Sequence, residues 1–160
     1  MRDTIPTPAV AQAAIADHIR DSFPGIVPAA AWGETGFFYN PGMVLPRGVY
    51  FATIKTQDGA NDRASRLDRP GVYRFAFGIG QPAYRALFGH LPARPAAAGV
   101  VRTGHDFAAL DILLPHPVYA WMGWVGVLNP GAATFERIKP LLAQAHGLAV
   151  SKFRKRAKVA

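Results

Sequence analysis

Apolar positions recur along this chain with two periods, and the switches between them outline its elements. Val10, Ala14, Ile15, His18 and Ile19 form a helical stripe that Thr7 caps and Pro8 opens, ending near Ser22 before Pro24-Gly25. A Pro- and Ala-rich connection then leads to residues 32–40 (WGETGFFYN), whose aromatic content predicts a strand closed by the turn Asn40-Pro41-Gly42. Residues 48–56 (GVYFATIKT) alternate, with Val49, Phe51 and Thr53 on one side and Tyr50, Ala52 and Ile54 on the other. Both sides are apolar, so this strand is expected at the centre of a sheet.

The apolar signal stops over residues 57–70 (QDGANDRASRLDRP), a long polar loop of the kind that is functional, mobile or simply solvated. Strand pattern returns at residues 71–78, where Arg74 is the one position marked for solvent. Gln81-Pro82 opens a short helix through Phe88 that buries Tyr84, Leu87 and Phe88, and residues 89–99 read as a surface loop. Asp106 suits the N-cap of a helix over 107–114, stopped by Pro115-His116-Pro117. A strand over 118–128 would put Trp121 and Trp124 on opposite faces, so only one could look into a site on a given side. The turn Asn129-Pro130-Gly131 leads into a final helix with Thr134 near its start. Pro140 kinks or restarts that helix, and Leu142, Ala145, Ala149 and Phe153 form its stripe. Strands joined by loops rather than helices predict an antiparallel sheet, hence a single α+β domain over 1–160 with the first and last helices on one face.

Composition agrees with this picture, and charge adds to it. Half of the residues are hydrophobic and 18% charged, a globular balance for 160 residues. The net charge of +8 is not spread evenly: residues 1–136 carry 11 basic and 10 acidic side chains, residues 137–160 seven basic and no acidic ones. Lys152, Arg154, Lys155, Arg156 and Lys158 crowd a basic tail at 151–160. Such a run contacts phosphates, or it complements a helix dipole and solvates the end of the chain. With no cysteine there is no disulfide, thiol nucleophile or thiolate metal site. The first residues lack the apolar core of a signal peptide, and the uncharged run at 118–128 is too short to cross a bilayer. A soluble cytoplasmic protein without membrane contact is expected, monomeric or homodimeric.

No stretch carries a diagnostic catalytic, metal or cofactor signature. His105, Asp106, Asp111 and His116 contain the right chemistry for a metal or for acid-base work, but their spacing matches no metal motif, and no metal or cofactor is expected. Ser22, Ser65 and Ser151 are the only serines, and none sits in a nucleophile elbow. Gly78-Ile79-Gly80 occupies the place of a phosphate loop but lacks its third glycine. Aromatics are more suggestive: Trp32, Phe37, Phe38, Tyr39, Tyr50, Tyr73, Tyr119, Trp121 and Trp124 all fall on expected strands, so a sheet face not covered by helices could present an aromatic wall for a flat ligand, with Asp62, Arg66 and Arg69 on its rim and His105 and His116 as polar groups within it.

The stretches WGETGFFYNP, LPRGVYFATIKTQDGANDRASRLDRPGVYR, TGHDF, PHPVYAWMGWVGVLNP and TFERIKPLLAQAHGLAVSKF resemble an uncharacterised bacterial family, known only as a domain of unknown function, over residues 32–156. That resemblance implies no activity. More remotely, the C-terminal half is similar to the MmcQ/YjbR group, small α+β proteins of the CyaY-like kind described as DNA-binding; the Ser-Tyr of that group's last helix is Ala145-His146 here. Three readings follow. The first is a non-catalytic binding module for a small ligand or nucleic acid, the latter through Lys152, Arg154, Lys155 and Arg156. The second is a small enzyme with His105 or His116 as general base, and the third an accessory protein that dimerises through its last helix.

Overall fold

A computed structural model describes residues 8–159. Its elements run α1 (Gln12–Ser22), β1 (Ile26–Ala31), β2 (Glu34–Tyr39), β3 (Val49–Lys55), β4 (Arg74–Gly78), α2 (Gln81–Phe88), β5 (Leu113–Pro115), β6 (Trp124–Leu128) and α3 (Ala132–Val159). The six strands form one antiparallel sheet in the order β1-β2-β3-β4-β6-β5. The fold is therefore α+β, with β3 central as its two apolar faces demanded. Among the described residues no helix is long and apolar enough to cross a membrane.

Cross-strand partners share a face of a sheet, so the register assigns its two sides. Phe37, Ala52, Phe77 and Val125 stand opposite one another on successive strands, as do Ile54, Phe75 and Val127. This is the helix side, where Ile15 and Ile19 of α1 and Ile138, Leu142, Ala145 and Ala149 of α3 complete the core. The other side carries Tyr50, Thr53, Arg74 and Trp124, and it is covered by chain rather than by helix.

Several expectations change. Thr7, expected as the cap of the first helix, lies outside the described residues, and α1 begins at Gln12 because the chain before it is used otherwise. Ala9 bridges Gly131, the Val10 N–H donates to the Pro130 carbonyl at 2.7 Å, and the Tyr73 hydroxyl donates to the Val10 carbonyl at 2.5 Å. The expected connection at 26–31 is strand β1, and Trp32-Gly33 is the two-residue turn joining it to β2 rather than strand. The helix expected at 107–114 is absent. Asp106 does cap a turn, accepting from the Ala108 N–H at 3.0 Å, but Asp111 adopts φ 58° and accepts from the Gly131 N–H at 2.8 Å, and Leu113–Pro115 pair with β6 instead. The strand expected at 118–128 begins only at Trp124, since residues 120–122 form a 3-10 turn that Gly123 ends at φ 87°. Tyr119 and Trp121 are thus not strand residues, and no face argument relates Trp121 to Trp124. Leu87 is exposed, and α3 runs continuously through Pro140.

Candidate functional site

The side of the sheet without helices is organised by two charges that the strands cannot avoid burying. Arg74 opens β4 and Lys55 ends β3 directly opposite it. Arg74, expected in solvent, is instead only 2% exposed. A buried guanidinium requires an anion, and residues 57–70 supply it. Asp62 receives Arg74 Nη1 at 2.9 Å and Nη2 at 2.5 Å in a bidentate pair, and Lys55 Nζ at 3.2 Å. Ser65 Oγ accepts a further bond from Nη1 at 3.0 Å, while Arg74 Nε has no partner among the described residues. Burial pushes the Asp62 carboxyl up, yet the bond and charge of Arg74, with Lys55 beside it, hold it far below the ordinary carboxylate value.

The segment 57–70 is therefore a packed flap rather than a free loop. Asp58 accepts from the Leu67 N–H at 2.7 Å, Asp68 accepts from the Asp58 N–H at 3.0 Å, and Leu67 is buried. Arg69 donates to the carbonyls of Ser65, Arg66 and Ala108, so it braces this flap, whereas Arg66 is exposed at φ 53°.

His116 is buried on the same side, at 2% exposure and near enough to Arg74 and Asp62 to feel both charges. Its Nδ1 accepts from the backbone N–H groups of Val118 (3.0 Å) and Tyr119 (3.1 Å), which places the ring proton on Nε2. Burial, followed by the Arg74 charge, drives its pKa well below 6.5. Neutral His116 thus shapes the turn after β5, and no carboxylate hydrogen-bonds its ring among the described residues. The unfolded chain takes up a proton below pH 6.5 that the native ring refuses, so stability falls as pH drops through that value. The expected slope from this residue is about 1.4 kcal/mol per pH unit. His116→Asn, whose amide oxygen can replace Nδ1 as acceptor, should flatten that slope in denaturation at pH 4.5 to 7; an unchanged slope would assign it to His18 and His146, whose pKa values burial also lowers.

Beyond the flap the same side turns aromatic. A bulge makes this possible: Phe37 pairs with Ala52 but Phe38 with Tyr50, so Phe51 is an extra residue and Tyr50 joins Thr53 on one side, not Ala52 and Ile54 as simple alternation predicts. Tyr50 stacks on Trp124 with centroids 5.1 Å apart and planes at 24°, and the His116 ring meets Trp124 edge-on at 6.4 Å. This stack borders a cavity of about 40 Å³ between the sheet end and α3, lined also by Gly78, Met122, Leu148 and Lys152. Gly78 leaves room for the indole, since a Cβ there would meet Trp124 at 2.9 Å. Lys152 starts the run in which Arg154, Lys155, Arg156 and Lys158 are likewise exposed, and none of the five is in an ion pair among the described residues.

The expected site residues thus divide. Trp124, His116 and Asp62 share the helix-free side, and Lys152 meets Trp124 at the cavity. Trp121 sits on the 3-10 turn with Arg94 over its ring at 4.9 Å and its Nε1 donating to the Val118 carbonyl. His105 is exposed, bonded to Thr103 Oγ1 and edge-on to Phe88. Tyr39 faces the helix side against His146 and Phe153 of α3. Neither His105 nor His116 lines either of the two cavities described here, this one and a larger concavity beside Trp32. Arg74 and Lys55 were missed, although a lone cation in a strand with two apolar faces is itself a signal of a buried pair.

A family model matches residues 10–158 and is described as a family of unknown function, DUF6194. The chain belongs to this family. No curated protein and no solved structure matches it. Its members' common description supplies no activity, so the reading below rests on the arrangement of these residues.

Proposed function

We propose that this DUF6194 protein is a non-catalytic module that binds single-stranded nucleic acid along the Tyr50–Trp124 stack and the basic end of α3. The observation that carries this reading is the shared cavity, which sets Lys152, first of five exposed cations, beside half-exposed aromatic rings. Single strands are held by this pairing of stacking surface and backbone-tracking charge. A cavity of about 40 Å³ is far below the volume that encloses a small ligand, roughly 300–1,000 Å³, and suits a partner lying across the surface. The exposed Tyr119 and Met122 extend the apolar strip. The similarity of this half to the MmcQ/YjbR group points the same way, and a cysteine-free chain suits action in the cytoplasm.

A general-base role for His116 lacks support from this geometry, because its basic nitrogen is occupied by two backbone donors. Fluorescence anisotropy with labelled oligonucleotides over a salt series tests the binding reading. Log affinity should fall with log salt by about 0.7 per phosphate neutralised, a total slope near 2 to 3.5 for three to five contacts. Lys152→Ala with Arg156→Ala should reduce the slope by about 1.4, and Tyr50→Ala should cost about 1–3 kcal/mol of stacking. Binding that ignores salt, or no binding at all, sinks the reading.

A further inference from the structure

The hairpin between β1 and β2 places Trp32 at its tip, 91% exposed and in the left-handed region at φ 53°. Both features are costly. Two-residue turns of this kind favour Asn, Asp or Gly at their first position, and a bulky residue at positive φ is an outlier. Gly33, at φ 74°, meets the turn's preference; Trp32 does not. Since the exposed indole makes no contribution to the core, folding does not account for it, and a strained exposed residue points to use.

The tip is also held in place. The Thr56 N–H and Thr56 Oγ1 both donate to the Gly33 carbonyl, at 2.8 and 3.0 Å, and the Gln57 amide donates to the Trp32 carbonyl at 3.0 Å. Beside it lies a concavity of about 450 Å³, in the range that holds small ligands. Gln12, Ala30, Thr35, Ile54 and Thr56 line it with Trp32, and among the described residues its single charged lining residue is Glu34, whose carboxylate accepts from Thr53 Oγ1 on the opposite side of the sheet. In a chain of net charge +8 no Lys or Arg among the described residues lines this concavity, which disfavours an anion. What remains is a flat aromatic surface, an apolar floor, and uncharged amide and hydroxyl groups. Gln12 also opens α1, where Ala11 provides no side-chain cap.

We propose that the Trp32 concavity is a second binding site and takes a neutral, polyhydroxylated ring, that is, a saccharide, stacked by its C–H face on the indole. This site is independent of the nucleic-acid surface: it uses none of the same residues and should be insensitive to salt.

The test is a titration of the full chain, labelled with 15N, against a panel of neutral hexoses and their α- and β-linked dimers. The three tryptophan indole N–H signals report separately on Trp32, Trp121 and Trp124. A saturable shift of the Trp32 signal with at least one sugar, unmoved signals for the other two and an unchanged affinity at high salt are expected. Trp32→Ala should abolish the response while leaving the melting temperature within a degree or so, because the ring is not buried. Failure of every sugar to move the Trp32 signal overturns the proposal. So does equal movement of all three indoles, or a response of Trp32 to neutral phosphatidylcholine vesicles without one to sugars. A fall of several degrees on Trp32→Ala would show a structural role and overturn it too.

Discussion

Asp62→Ala is expected to destabilise the fold by about 3–5 kcal/mol, the cost of leaving a buried cation without its partner. The size follows from Arg74, not from Asp62. Arg74 cannot leave the sheet, because it is the first residue of β4 with Leu128 and Lys55 on either side, and its side chain is 2% exposed. Without the carboxylate, among the described residues Nη2 loses its only acceptor and Nη1 retains only Ser65, beside a Nε that already has none. Asp62→Asn keeps an acceptor oxygen but loses the charge and should fall between. Replacing the pair together, Asp62→Leu with Arg74→Met, should recover much of the loss, since apolar residues of similar volume often substitute for a buried ion pair. Urea denaturation of the three variants decides it: a loss below about 1 kcal/mol for Asp62→Ala would mean that the flap opens and hydrates Arg74 at little cost.

The same pair sets the acid limb. Asp62 has its folded pKa lowered from 3.8, so its contribution is complete above that value and is lost as pH falls below it. The His116 effect begins higher, below pH 6.5. Acid unfolding should therefore show two regions, a gradual loss from His116 and a steeper one below about pH 4 as carboxylates including Asp62 protonate.

These consequences were only partly legible in the sequence. The central strand, the turn between β2 and it at Asn40-Pro41-Gly42 and helix α2 are local patterns, so periodicity and turn chemistry reveal them. Strand β1 was not visible because Pro28 and three alanines carry little strand preference, and pairing with β2 decides its state. Residues 107–114 have a helical period and a good cap, but Asp111 is claimed by the N–H of Gly131, twenty residues on. The site suffered from the same limit. Lys55, Asp62 and Arg74 come from β3, the flap and β4, so only the pairing register and the flap's fold bring them together. A bulge at Phe51, with no sequence signature, decides that Tyr50 reaches Trp124 rather than the core.

Gly123→Ala should destabilise the protein by about 3 kcal/mol or more and, on the proposed function, remove nucleic-acid binding with it. Gly123 has φ 87°, a conformation that an L side chain adopts at a cost of roughly 1–2 kcal/mol. Its Cβ would also stand 2.3 Å from the Gly80 carbonyl carbon and 2.6 Å from the oxygen. Neither contact ends on a side chain that could rotate away, and overpacking of this kind adds a further 1–3 kcal/mol. To relieve the clash, the 120–122 turn and the start of α2 must separate. They are joined at this point by the Ile79 N–H donating to the Gly123 carbonyl at 2.9 Å and by Gln81 Nε2 donating to the Trp121 carbonyl at 3.3 Å. Trp124 follows Gly123 directly, so the movement displaces the indole from Tyr50 and from the Lys152 cavity. Gly147→Ala is the control, because a Cβ there meets nothing within 4 Å on the same helix that carries the basic run. Thermal unfolding and oligonucleotide anisotropy on both variants should give a loss of both properties for Gly123→Ala and of neither for Gly147→Ala. If Gly123→Ala lowers stability but retains full affinity in its folded fraction, Trp124 is not part of the binding surface, and the basic end of α3 acts alone.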